Sequence, residues 1–468
     1  TGMAFIGYAR GFSQRHYDAW PSHYCPSEAI PKTEGLVRSP VTLEAIREDL
    51  KKYQGSSPCR PENMVFDKVV RDAHRAFHVT PVPPIHLNDL PTIPLENANS
   101  SPGLPWKDLG FKRKIDVLRD PYAFRSVRRF WHGIKEGNER KAPDCAAYLR
   151  SHIVEEGESK VRAVWGYPAT ISFQEACFAL PLIKAMKETP IAYGYETARG
   201  GCRKIYNRFC YHKHFLSSDF KSFDKTVPAW LIRIAFDILT TNIDFTKYQE
   251  FGTPNSSKLL QAWLFIQHYF IHTPIRLCNG ERYRKHRGVA SGSYFTQLID
   301  SIVNWIVTTY AVRKCGSDVN DIIVMGDDSL VALSQPIDLD EYGHYANTCG
   351  MLVNVSKTQT GSDLDEIVFL GYGINHGVPK KDPKSLWAGL RFPERPDRSF
   401  DDFASRALGL MIANFGYDIE FDNCCRNILT KPFVVCYSPA MLRFLKILGI
   451  DQYPRDPPSL FRLSMMRY

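Results

Sequence analysis

Residues 322–333 read IIVMGDDSLVAL: an apolar run, then Gly326-Asp327-Asp328, then a second apolar run. That is the pattern of strand, tight turn and strand, with two carboxylates at the tip and a glycine that frees the turn backbone. Alone, Gly-Asp-Asp is a weak signal, because Asp is a common residue in solvated turns. Residues 215–224, FLSSDFKSFD, change the odds. A second short apolar strand ends in Asp219, and Asp224 follows five residues later. If the 215–220 strand lies beside the 322–333 hairpin, Asp219 and Asp327 meet at one edge. Carboxylates brought that close repel unless a cation neutralises them. Hard oxygen ligands of this kind suit Mg²⁺ or Mn²⁺, and two such ions about 4 Å apart form a clamp for phosphoryl transfer.

A third element lies between the two acidic turns in sequence. Residues 287–296, RGVASGSYFT, form a loop around Ser291 and Gly292 that leads into a long helical pattern to about residue 313. Thr296, Asp300 and Asn304 fall at every fourth position and share one side of an otherwise apolar helix. Such polar groups are costly to bury without partners. They are either a satisfied core network or contacts for a sugar hydroxyl.

The rest of the chain sets the frame. It has 468 residues, 44% hydrophobic, 13% aromatic and 23% charged, which excludes disorder over most of the length and suggests two to four lobes. The formal net charge of +9 permits a polyanion partner without requiring one. Between residues 107 and 141, eleven Lys/Arg stand against five Asp/Glu, a local +6 interleaved with aromatics, which reads equally as a solvated face or a phosphate-tracking wall. Residues 79–105, rich in Pro and Asn, read as an extended segment. Twelve scattered cysteines fit reduced thiols rather than a disulfide scaffold, and Cys202, Cys210, His212 and His214 lack the close Cys pair of common zinc sites. Leu298 to Val312, the longest apolar stretch, is broken by Asp300, Ser301 and Asn304, short of the roughly 18 residues of a membrane span. The opening Thr1-Gly2-Met3 reads as a dipeptide added before a native start. Helical patterns cover 228–239 and 257–271, a hairpin turn falls at Asn279-Gly280, and the tail from about 385 is helical, with Ser399 and Asp402 in capping-box spacing.

With these elements in order, the sequence resembles viral RNA-dependent RNA polymerases, and more narrowly those of the partitivirus group of double-stranded RNA viruses. The resemblance covers about residues 97–420. DFKSFD matches the family's motif A, GVASGSYFTQLIDSIVN motif B and MGDDS motif C. It implies that Asp219 and Asp327 hold two Mg²⁺ ions, with Mn²⁺ as a substitute, and that Asp328 supports them. SKVRAVWGYP (159–168) resembles motif F, whose Lys160 and Arg162 would hold the incoming triphosphate. NSSPGLPW (99–106) resembles motif G, which places Ser101, Pro102 and Gly103 along the template. Asn354-Val-Ser-Lys357 resembles motif D, with Lys357 as general acid for the leaving pyrophosphate, and Phe369-Leu-Gly-Tyr372 resembles motif E. The basic 276–287 stretch then leans towards an RNA wall through Arg284 and Arg287. In many positive-strand viral polymerases motif B carries Asn nine residues after its Ser; here that position is Asp300, with Asn304 one turn later, so either completes ribose recognition beside Ser291, Gly292 and Thr296. Asp224 offers acceptors to a 2′-hydroxyl where DNA-making enzymes commonly place a bulky aromatic.

The implied fold is α+β, a right-hand polymerase with an antiparallel palm sheet, a helical thumb and an encircled active site. Expected boundaries are 1–59 for a segment bridging fingers and thumb, 60–213 for fingers, 214–246 for palm with motif A, 247–305 for fingers with motif B, 306–385 for palm with motifs C, D and E, and 386–468 for thumb. The implied activity is RNA-directed RNA synthesis that replicates and transcribes a segmented genome. Expected partners are template and nascent RNA, NTPs and a viral capsid protein, with no membrane; the expected location is the virion interior and the host cytoplasm. A reverse transcriptase is the runner-up, although Met325 stands where that class usually has Tyr. A non-catalytic RNA-binding capsid protein would have no reason to keep these acids and cations in polymerase order.

Overall fold

The computed structural model describes residues 1–16 and 18–468. At its centre lies a four-stranded antiparallel sheet in the order Val319–Met325, Asp328–Leu333, Phe215–Ser217, Gln359–Gly361. The first two strands are the 322–333 hairpin, and the 215–217 strand pairs directly with it, as the two acidic turns require. Behind the sheet runs the Thr296–Lys314 helix, in which every residue from Leu298 to Val312 is buried. A helix buried on all sides lies inside the core, and its polar residues need partners there. This one packs on the hairpin and on the Met64–Ala76, Ala229–Thr240 and Leu339–Thr348 helices. Among the described residues no helix is long and apolar enough to cross a membrane.

A second, five-stranded sheet has the order Met3–Tyr8, Glu281–Lys285, Pro274–Arg276, Cys145–Ser151, Val161–Gly166. Its last strand carries Arg162, and its Glu281–Lys285 strand leads into the Ser291–Gly292 loop. Asn279-Gly280 forms the expected turn, with Gly280 at φ +96°. The C-terminal helices Pro383–Arg391, Phe400–Asn414, Ile419–Ile428 and Pro439–Ile447 build a separate apolar core around Trp387, Phe403 and Phe421.

Residues 1–39 touch both halves. Met3–Tyr8 adds an edge strand to the five-stranded sheet, and Leu36–Arg38 pairs with Ile153–Glu155. Between them, Ala29 enters the C-terminal core and Ser22 Oγ donates to Asp397 at 2.6 Å.

Two local expectations change. Ser399 does precede the Phe400–Asn414 helix, but its side chain caps nothing; Asp402 instead accepts from the Arg398 backbone and guanidinium at 2.9 Å. Residues 79–105 are not wholly extended, since Leu87–Thr92 forms a 3₁₀ turn with Pro91 inside it.

Candidate active site

The hairpin tip is a two-residue turn. Met325 pairs with Asp328, leaving Gly326 and Asp327 at the apex, with Gly326 at φ +60°. A positive φ at the first central position alone is the pattern of a II′ turn, which favours glycine there. The buried helix fixes this turn from behind. Ser301 Oγ accepts the Gly326 N–H at 2.9 Å, and the Asn304 side-chain amide donates to the Gly326 and Asp328 carbonyls, each at 3.0 Å. Thr308 Oγ1 donates to Asn304 Oδ1 at 2.9 Å. Asn304 thus spends both its N–H groups on the hairpin backbone, within the core.

Asp219 reaches the same place along the neighbouring strand. The pairing runs to Leu216 and Val331, and Asp219, three residues on, comes within electrostatic range of both Asp327 and Asp328. Motif D then holds the Asp219 backbone at both ends: the Asp219 N–H donates to Thr358 Oγ1 at 3.1 Å, and the Asn354 N–H donates to the Asp219 carbonyl at 2.7 Å. Sequence reading missed this role of Asn354 and Thr358, although Lys357 lies between them. Asp224 is the second residue of a short turn of helix, Phe223–Thr226, and its carbonyl accepts the Val289 N–H at 2.6 Å. That bond joins motif A to the start of motif B.

The electrostatics of this edge are those of a cluster short of positive charge. Burial first, then the neighbouring Asp224 carboxylate, pushes Asp300 well above the usual carboxylate range. Asp300 Oδ1 is buried without a hydrogen-bond partner. Of the two motif B candidates, Asp300 is thus the one that faces Asp224. Asp327 is open at the surface yet walled by protein on most sides, and burial, Asp224 and Asp219 raise its carboxyl while Arg162 opposes them. Burial takes Asp328 up to about 7, against the hydrogen bond that its Oδ2 accepts from the Leu370 N–H at 2.7 Å. Leu370 belongs to the motif E turn, so one Asp328 oxygen is already engaged. Among the described residues no three His, Cys, Asp or Glu side chains form a ready metal cage. The donor set nonetheless fits hard divalent cations: oxygen-only, desolvated and mutually repelling.

Cations face this edge from the fingers. Along Val161–Gly166 the side chains alternate, with Val161, Ala163 and Trp165 buried and Arg162 exposed; Lys160, just before the strand, is exposed with it. Lys160 is pulled down by burial, then by Arg162, Lys52, Lys225 and Lys357, which places Lys357 within electrostatic range of the expected triphosphate clamp. Burial, then Arg162, Lys160, Arg150 and Arg38, holds His152 near 3 and hence neutral.

The motif B loop is tied down at several points. Ser291 Oγ lies 3.4 Å from the Trp165 N–H and 3.5 Å from the Ala163 carbonyl. Gly292 has φ +119°, and a Cβ there would come within 2.1 Å of the Trp165 carbonyl, so no other residue fits. Thr296 Oγ1 donates to the Ala290 carbonyl at 2.7 Å. Glu175, fully buried and raised to about 8 by burial, accepts from Ser293 Oγ at 2.6 Å and from the Tyr294 N–H at 3.2 Å. No sequence pattern pointed to Glu175.

The two arginines expected along the RNA have different surroundings. The Arg287 guanidinium donates to the backbone carbonyls of Tyr53, at 2.9 Å, and Gln54, which makes it an internal brace. Arg284 is half-buried with its Nε unpartnered, near His268 and His286. In motif G, Ser101 Oγ bonds Tyr148 at 2.7 Å, the Pro102 carbonyl accepts the Ala169 N–H at 2.7 Å, and Gly103 (φ +65°) presses on Pro168. That segment is a fixed ledge of the fingers.

A family model described as viral RNA-dependent RNA polymerase matches residues 13–426. Curated relatives named RNA-directed RNA polymerase include those of White clover cryptic virus 1 (26% identical over 57% of this chain), Cryptosporidium parvum virus 1 (27% over 86%) and Atkinsonella hypoxylon virus (27% over 61%). The matched regions span 48%, 78% and 50% of those relatives' own lengths, so the chain covers about half of two of them. A solved polymerase structure from a human picobirnavirus shares the fold, with a TM-score of 0.62 at 16% identity, over 85% of this chain and 76% of that one. The fold is the α+β right-hand polymerase fold, and the chain belongs to the viral RNA-dependent RNA polymerase family, within which it resembles the partitivirus group.

Proposed function

We propose that this chain is the RNA-directed RNA polymerase of a double-stranded RNA virus, joining NTPs to an RNA 3′-hydroxyl on an RNA template and so replicating and transcribing genome segments. The observation that carries the reading is that Asp219, beyond the strand paired with the hairpin, gathers with Asp327 and Asp328 in one set of mutually repelling carboxylates. Asp219, Asp327 and the free oxygen of Asp328 would hold Mg²⁺. When bound, the metal supplies a lowered pKa for the attacking hydroxyl and charge neutralisation for the leaving pyrophosphate.

The chain's own residues do the rest. Arg162 and Lys160 fix the triphosphate as a cationic pair on one face of the fingers. Asp224 accepts the ribose 2′-hydroxyl, with Asp300 as the protonated partner beside it, while Ser291 and Gly292 shape the pocket floor and Thr296 closes it. Lys357 gives a proton to the departing pyrophosphate. Ser101, Pro102 and Gly103 guide the template. In the cell, the partners are template and nascent RNA, NTPs and a capsid protein, and the site of action is the virion interior and the cytoplasm.

The test is incorporation of labelled NTPs and dNTPs on RNA and DNA templates with Mg²⁺, Mn²⁺ or chelator. The expected outcome is NTP incorporation on RNA that chelator abolishes. Preference for dNTPs would make the chain a reverse transcriptase, and RNA binding without incorporation a structural protein.

A further inference from the structure

Asp49 has no part in the reaction above, yet it is only 2% exposed. It lies near the end of the Leu43–Lys51 helix, which packs on the Val161–Gly166 strand. Its Oδ2 accepts the Ala163 N–H at 2.8 Å, one residue beyond Arg162. Its Oδ1 has no hydrogen-bond partner, but two ammonium groups, Lys52 and Lys225, each stand 3.6 Å away. The Lys52 side chain is 47% exposed and exchanges with water; that of Lys225 is 10% exposed. Among the described residues, Asp49 is the one carboxylate within ion-pair distance of Lys225.

Lys225 directly follows Asp224, and its charge also reaches Asp300. The Lys225 ammonium therefore sits between two sets of acids: Asp49 on the N-terminal helix, and the Asp224–Asp300 pair at the sugar position. We infer that Asp49 is a positioning residue for sugar selection, whose charge holds the Lys225 ammonium away from Asp224 and keeps that carboxylate free to accept a ribose 2′-hydroxyl. The inference rests on the polymerase reading and on Asp224 as the sugar contact. Its physical basis is that a buried ammonium stripped of its partner does not stay unpaired. With Asp49 neutral, the acids left around the Lys225 ammonium are Asp300, within its electrostatic reach, and Asp224, next to it in sequence, and an ion pair with Asp224 occupies the acceptor that distinguishes ATP from dATP.

The test uses the full chain on a primed RNA template, with kcat/KM measured for ATP and dATP. Asp49→Asn keeps a side-chain oxygen for the Ala163 N–H and removes the charge. It should lower the ATP:dATP ratio by about fivefold or more, mainly through a higher KM for ATP, with dATP use little changed. A purely structural defect lowers both substrates together. Lys225→Met in the same chain should restore the ratio, because the ammonium that blocks Asp224 is gone. The double variant leaves no unpaired buried charge, so it carries the test even where Asp49→Asn alone does not fold. An unchanged ratio in Asp49→Asn, or a double variant that discriminates as poorly as the single one, overturns the inference. Absence of any incorporation by the wild-type chain overturns the polymerase reading and this inference with it.

Discussion

Asp327 and Asp328 are neighbours in sequence with different surroundings. Asp327 stands at the open apex of the turn, and Asn has its size and shape, so the packing around it is kept when its charge is lost. Asp327→Asn should therefore fold and melt as the wild type does while NTP incorporation falls by several orders of magnitude, the several kcal/mol lost with a metal ligand; near-normal incorporation by a folded variant would sink the assignment. Asp328 is enclosed, and burial lifts it to about 7 from an ordinary value near 3.9 in the unfolded chain. A carboxyl whose folded pKa is raised binds its proton more tightly when folded. The metal-free protein is then most stable, as far as this group decides it, below about pH 4, and loses stability as pH rises towards 7. Asp328→Asn removes that loss, on the order of a few kcal/mol. The metal-free variant should melt above the wild type at about pH 8, with the gap closing towards pH 4, and Mg²⁺ at pH 8 should stabilise the wild type more than the variant. Thermal melts across pH check this, and a gap that does not change with pH would mean that Asp328 is not desolvated.

At the scale of elements, the turn, the helix behind it and the loop before it work as one assembly. The Asn304 amide serves two buried carbonyls of the hairpin, so Asn304→Ala should destabilise the chain by about 2–4 kcal/mol. It should also lower kcat by loosening Asp327 while leaving the ATP:dATP ratio unchanged; a changed ratio would return Asn304 to the sugar pocket. Period and spacing made this assembly partly legible. The apolar runs and the turn glycine gave the hairpin, and the fourfold spacing of Thr296, Asp300 and Asn304 gave one helix side. Spacing alone could not tell that Asp300 points to a carboxylate and Asn304 to backbone, since that depends on where the Asp328–Leu333 strand ends against the helix. The same limit explains Arg287. In a basic run, a guanidinium bonded to the carbonyls of residues 53 and 54 looks no different from one facing solvent. Asp49, Glu175, Asn354 and Thr358 were invisible for a related reason, because each acts on a backbone group more than one hundred residues away in sequence.

For the whole molecule, the question is what keeps fingers and C-terminal helices at a fixed separation around the site, and the N-terminal segment answers it through few contacts. Arg38 carries the most direct one. Its guanidinium donates to the Phe392 carbonyl at 2.9 and 3.1 Å and to the Ser151 carbonyl at 2.9 Å, so a single side chain spans the end of the Pro383–Arg391 helix and the Cys145–Ser151 strand. Arg391 adds a bond to Thr33 at 2.9 Å. Charge-assisted bonds to buried carbonyls contribute about 1.5–3 kcal/mol each, less where water reaches them. Arg38→Ala should lower the melting temperature by a few degrees. The catalytic edge lies on other elements, so single-nucleotide addition to a preformed primer–template should stay within about twofold of wild type. What should fall is the length of RNA made per binding event, because fingers and C-terminal helices that part more often release the template. Product lengths in the presence of an excess trap RNA measure this directly: shorter products with an unchanged first-addition rate are expected, and full-length products at wild-type yield would show that Arg38 does not hold the two parts together during synthesis.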